Sequence, residues 1–177
     1  MPEASDGMGW LPEAKALDLC DVPRATWASW ERHGFVARPE NGAYCLADVI
    51  RIAVVAQLRK HLQVDDVAAA LRGLERDGEF RKLVEVAQTI NEGDRLDLII
   101  EPNTAKVKVA RDDRTLVQAV RHPTAPRPVI VVSPADELYR IVAGFKNRAI
   151  LVAPPSTRRR GRRRAGGEVV PMRLAGP

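Results

Sequence analysis

The chain has 177 residues, 45% of them hydrophobic, with a net charge of +5 and two cysteines. That length holds one domain or two small ones, the apolar content excludes a wholly disordered chain, and no apolar run approaches the roughly 20 residues of a membrane span. Two cysteines are too few for a secreted disulfide scaffold, and the first ten residues lack a basic stretch leading into an apolar core, so a cytoplasmic chain without a signal peptide is expected.

In chain order, residues 1–9 are predicted to be a flexible N-terminus, and Leu11 to Cys20 a short helix with Ala14 and Leu17 on one side. Pro23 disfavours helical geometry at Val22 and so interrupts it. A second short helix follows from Arg24 to His33, with Gly34 placed to end it. "FVARPENGAYC" reads as two short extended pieces around a Pro-Glu-Asn-Gly turn, because Asn-Gly tolerates positive φ. From Leu46 the 3.6-residue spacing of Val49, Ile52, Ala53 and Ala56 predicts a long helix to about His61. Asp65 or Asp66 is expected to cap a further helix ending near Gly78.

The second half has a different texture. "FRKLVEVAQTI" is a predicted helix, and "RLDLIIEPNTAKVKVAR" a hairpin turning at Pro102-Asn103-Thr104. "RTLVQAV" is a predicted short helix and "RPVIVV" a buried strand. Ser133 is expected to cap a helix over Ala135–Phe145, with Pro134 at its first position, and "AILVA" to form a last strand. The order β-β-α-β-α-β predicts a small α+β domain over residues 79–153. Residues 154–177 are too charged and Gly-rich to pack and are read as a disordered tail.

The charge is unevenly spread. Residues 1–78 carry 9 Lys/Arg against 12 Asp/Glu, a net of −3. Residues 79–157 carry 12 against 10, a net of +2, and the last twenty residues have seven Arg and one Glu, a net of +6. The basicity therefore lives in the tail, where Arg158, Arg159, Arg160, Arg162, Arg163 and Arg164 could neutralise several phosphates without reading sequence, or could simply solubilise the chain. Cys20, His33 and Cys45 match no compact zinc spacing and lack a fourth ligand, so they are read as structural residues with no metal. No nucleophile, phosphate-loop or metalloprotease pattern occurs, and none of His33, His61 and His122 has a catalytic partner in sequence. No enzyme activity, catalytic residue or cofactor is expected.

Helix, tight turn, helix, hairpin, helix, helix is the order of a winged helix-turn-helix. Val22, Thr26, Trp27, Trp30, Glu31, Gly34, Phe35 and Val36, then Tyr44, Asp48 and Val49, then Leu58, Arg59, Val64, Val67 and Leu71 fall at matching spacings. On these residues the segment 10–78 resembles the DNA-binding domain of MerR-type transcriptional regulators. Ala28 and Ser29 stand where that family commonly keeps Arg and Tyr, Ala43-Tyr44 stands where a wing Arg often follows, and Cys45 replaces the usual Ser cap. Residues 79–92 allow only about three to four helical turns, too few for the family's long dimerising coiled coil.

The fold class expected is thus α+β: a MerR-like winged helix-turn-helix over 10–78, a small α+β domain over 79–153 that dimerises or senses a small-molecule or protein effector, and a basic tail. The resemblance implies a sequence-specific DNA-binding transcriptional regulator acting as a homodimer on double-stranded DNA, with no membrane association. Arg24, Thr26, Ser29 and Arg32 would contact DNA from the second helix, and Arg38, Asn41 and Tyr44 from the wing. Trp27 takes a core position, while Trp30 either packs under the wing or offers its indole N–H to phosphate. Two alternatives use the same residues: an architectural or phage-related DNA-binding protein like an excisionase or a small terminase subunit, and a protein-interaction module reusing the fold.

Overall fold

Two prolines set the N-terminal elements of this computed structural model, which describes residues 9–101, 106–120 and 129–151. Pro12 closes a two-residue strand, β1 (Leu11–Pro12), and its extended backbone starts α1 (Glu13–Leu19). The helix predicted over Leu11 to Cys20 therefore begins two residues late. Pro23 does the same for α2 (Arg24–Arg32), where a missing N–H costs nothing because the first turn has no acceptor for it. Between the two helices, Asp21 adopts φ 52°, and the amides of Cys20 and Val22 return to the carbonyls of Ala16 and Leu17. The turn is thereby closed on itself.

Gly34 ends α2 as expected. At φ +70° it lets its own N–H reach Glu31 O at 3.0 Å and the Phe35 N–H reach Trp30 O at 3.0 Å, the paired bonds of a left-handed helix terminus. The predicted pairing of the two flanks of Pro-Glu-Asn-Gly is not what forms. β2 (Ala43–Tyr44) pairs antiparallel with β1, Leu11 opposite Tyr44 and Pro12 opposite Ala43. The Phe35 flank is unavailable because its N–H closes α2 and its carbonyl accepts from Arg51 Nε at 2.8 Å. Phe35 and Val36 are also both buried, which a two-residue alternation cannot satisfy. The turn itself does form, with Gly42 N–H donating to Pro39 O at 2.9 Å and Asn41 Oδ1 accepting from Ala43 N–H at 3.0 Å.

α3 (Leu46–Arg59) is the central helix, buried along Leu46, Val49, Ile50, Ile52–Val55 and Leu58. Asp48 accepts from the Cys45 N–H at 2.9 Å and so satisfies a free donor at its start. α4 (Val64–Arg76) starts two or three residues earlier than expected, with Gln63 at the cap, and Asp65 and Asp66 lie in its first turn instead. There they face the positive end of the helix dipole without capping it. α5 (Glu79–Thr89) follows Gly78 directly.

β3 (Asp97–Glu101) lies between β4 (Lys106–Ala110) and β5 (Ile130–Val132), antiparallel to both. Leu98, Ile100, Val107 and Val132 share one face and join the core, and α6 (Asp113–Val120) lies against β3 and β4. The Glu79 carboxylate accepts from the Val109 N–H at 3.0 Å and covers the outer edge of β4. α7 (Ala135–Arg148) packs against α1, α3 and α5. Ser133 does not cap it. Its hydroxyl donates to the buried carboxylate of Asp97, which also accepts from Arg95 Nε at 2.6 Å, and Pro134 takes the cap position. A buried carboxylate demands donors more strongly than a helix start that opens to solvent. "AILVA" does not form a strand among the described residues: Ile150 makes a single antiparallel bridge to Trp10, and Leu151 is 78% exposed.

The described residues thus form an α+β fold, mostly helical, with two small antiparallel sheets. One hydrophobic cluster runs from Leu11 through α3 to Phe145, with residues on both sides of Gly78 contributing to it. The predicted turn at Pro102-Asn103-Thr104, residues 1–8 of the start expected to be flexible, Val152-Ala153 and the whole tail, including Arg158–Arg160 and Arg162–Arg164, lie outside the described residues.

Candidate nucleic-acid interface

α2 buries Trp27 and Trp30 and turns the opposite side outward. Positions four apart stack on one stripe, and here that stripe is Arg24, Ala28 and Arg32, all exposed. Exposed Ala25 and half-buried Ser29 flank it. Short side chains between two arginines let the helix backbone approach a flat or grooved partner closely. Arg32 Nε folds back to Ala28 O at 3.3 Å, and half-buried Thr26 lines a shallow groove with Ser29, His33 and Arg59. The His33 ring stacks on Phe35 with centroids 5.5 Å apart.

Two expected contact residues are withdrawn from the surface. Tyr44 is fully buried and meets Trp27 edge-to-face, centroids 5.7 Å apart at 69°. Trp30 is 7% exposed and belongs to the core. Both are large enough that their transfer from water outweighs any single surface contact, and β2 pairing with β1 turns Tyr44 inward. Burial pushes the Tyr44 phenol up to about 12, Glu13 adds to the shift, and Arg38 opposes it from nearby without meeting the geometry of a hydrogen bond to the hydroxyl.

Above Tyr44 the charges converge. Glu13, first residue of α1, lies 3.5 Å from Arg24 Nε and 3.1 Å from Arg38 Nε, one carboxylate oxygen to each. Arg38 Nη2 also reaches Glu31 Oε2 at 3.3 Å. Sequence reading picked Arg24, Arg38 and Asn41 but missed Glu13 as their partner. Its pairing with Arg38 follows no local pattern, because the β1–β2 pairing joins those distant segments. Asn41 spends its side-chain oxygen on the turn, so only its amide nitrogen remains to meet a partner. Pairs this exposed contribute about 0.2–1 kcal/mol each, so the arginines are held lightly.

Neither cysteine is set up for chemistry. Cys20 is buried, donates to Val49 O at 3.5 Å, and burial raises its thiol to about 12. Burial also raises Cys45. No cluster of His, Cys, Asp and Glu fit to hold a metal occurs among the described residues. The raised Cys20 fixes a sign: the unfolded thiol ionises from about pH 9 while the folded one stays protonated, so stability falls as pH rises from about 9 to about 12. Urea melts across that range should show the fall, and Cys20→Ala should lessen it, the raised Tyr44 and Cys45 supplying part of the remainder, even though the variant starts from a lower stability.

No family model matches the chain, and no curated protein matches its sequence.

Proposed function

We propose that the protein binds double-stranded DNA through α2, as a transcriptional regulator built on a MerR-like winged helix-turn-helix. α2 acts as the recognition helix, and the turn at Asn41-Gly42 as a short wing. The observation that carries this reading is the exposed stripe Arg24–Ala28–Arg32, basic at both ends and small in the middle, on a helix whose other side is anchored by two buried tryptophans. Such a stripe fits a major groove, where the arginines meet phosphates or guanine edges and the alanine admits the backbone. The Arg-rich tail adds sequence-independent affinity, and residues 79–153 supply the dimer contact and the response to an effector.

The test separates helix from tail in the full chain. Changing the six arginines of 158–164 to glutamine is expected to lower the slope of log K against log salt by up to about five, while a preference for selected duplexes over random ones persists. Arg32→Ala is expected to weaken binding to a selected duplex about 5- to 50-fold in a mobility-shift titration. Loss of all affinity with the tail arginines would overturn α2 as the reader. Genome-wide binding at a few operators separates regulation from an architectural role at recombination or packaging sites.

One observation favours a second reading. Glu13 and Glu31 offset Arg24 and Arg38, so the face is nearly neutral, as a protein-binding surface would be. Pull-down of a protein partner that Arg32→Ala releases, without duplex binding, would support it.

A further inference from the structure

We infer that Glu13 limits the duplex affinity of the proposed DNA site: an acidic clamp that occupies Arg24 and Arg38 until a pair of phosphates takes them over. The inference rests on the DNA reading above and concerns how that site is kept from binding any duplex.

The three residues are unequal in freedom. Glu13 is 20% exposed, Arg38 46% and Arg24 83%. Glu13 also follows Pro12, whose backbone is fixed by pairing with Ala43. The carboxylate is therefore the stationary partner and the two guanidinium groups are the ones that swing. The two arginines approach different carboxylate oxygens of Glu13, Arg24 at Oε1 and Arg38 at Oε2, so neither has to leave for the other to stay. Glu31 holds Arg38 from the far end of α2 in the same manner.

This arrangement divides the work of binding. With Glu13 and Glu31 counted, the Arg24–Arg38 corner carries no net charge, and long-range attraction to a random duplex falls to other parts of the chain. Once α2 is seated, a phosphate competes with Glu13 for each guanidinium at short range, where geometry decides. Every duplex that takes the arginines must break their contacts with Glu13, and one that seats α2 poorly gains nothing from them, so the clamp sets the affinity at which the corner engages DNA.

The experiment uses the full chain and a random-sequence duplex of about 24 base pairs at three salt concentrations. Glu13→Gln keeps the side-chain shape and removes the charge. It is expected to tighten random-duplex binding about 3- to 10-fold at 0.1 M salt and to steepen the salt slope by about one. Glu31→Gln, which leaves both arginines on Glu13 and removes only the second partner of Arg38, should give a smaller gain. Arg24→Gln with Arg38→Gln placed in the Glu13→Gln chain should erase the gain. Unchanged or weaker binding by Glu13→Gln, or a gain that survives loss of both arginines, overturns the clamp. If Arg24→Gln and Arg38→Gln change nothing in either background and the tail arginines account for all binding, the DNA reading itself fails. If the Glu13→Gln chain melts early, the same titration is made at a lower temperature where its circular dichroism is that of the folded chain, and unchanged or weaker binding there again overturns the clamp.

Discussion

Trp27→Ala is expected to lower the unfolding free energy by about 3–5 kcal/mol, the cost of deleting a fully buried aromatic and leaving a cavity. Trp27 is 0% exposed, sits on α2 beside Trp30, and meets the ring of Tyr44, which is itself fully buried in β2. It thereby joins α2 to β2 and, through β2, to β1. Losing it removes the wedge that holds the exposed stripe of α2 at a fixed angle to the turn at Asn41-Gly42. The indole N–H is buried without a hydrogen-bond partner. Trp27→Phe deletes that unsatisfied group along with some volume, so it should cost clearly less than the alanine change, about 1–2 kcal/mol. Urea melts followed by far-UV circular dichroism measure both. Equal costs for the two variants would mean that the indole N–H is satisfied in solution.

Much of the N-terminal half was legible because its signals are local. Pro23 and Gly34 bracket α2 by their own backbone preferences, and the apolar spacing from Val49 to Ala56 marks α3 without help from elsewhere. What was not legible depends on distant partners. Phe35 and Ala43 look like two arms of a hairpin, yet the strand partner of Ala43 is Pro12, far back along the chain. Ser133 has the look of a helix cap, but a buried carboxylate from β3 claims its hydroxyl. The candidate site divides in the same way. The exposed side of α2 followed from its buried tryptophans, whereas the pairing of Arg38 with Glu13 joins segments that come together where β1 pairs with β2. Tyr44 was misjudged for that reason too: its position in a presumed wing pointed outward, and its actual pairing with Leu11 turns it into the core.

Phe145→Ala is the second large effect, expected at about 3–5 kcal/mol, and it tests how the two halves of the chain stand to each other. Phe145 is 0% exposed on α7, in the same apolar cluster as α3 and α1. The approach of α7 to α1 is close: a Cβ added at Gly144 would stand 2.5 Å from Leu19 Cδ1, and Arg148 Nη1 reaches Asp18 Oδ2 at 3.2 Å. Beyond α7, Ile150 and Trp10 exchange two backbone hydrogen bonds, of 2.8 and 3.1 Å. A core shared this way should unfold in one step, so damage at Phe145 should reach α2, far from it in sequence. All three tryptophans, Trp10, Trp27 and Trp30, lie in the first thirty residues, so their fluorescence reports the N-terminal half, with Trp10 also sensing its pairing with Ile150. The expected result is that Phe145→Ala lowers the fluorescence midpoint and the circular-dichroism midpoint by the same amount. A fluorescence midpoint that stays at the wild-type value while part of the helical signal melts early would instead mean that residues 10–78 fold as a unit of their own. In that case a signal sensed in the second half would have no packed route to α2. With the shared core, any ligand or partner that shifts α7 acts directly on α1 and α3, which belong to the same apolar cluster as Trp27 and Trp30 of α2.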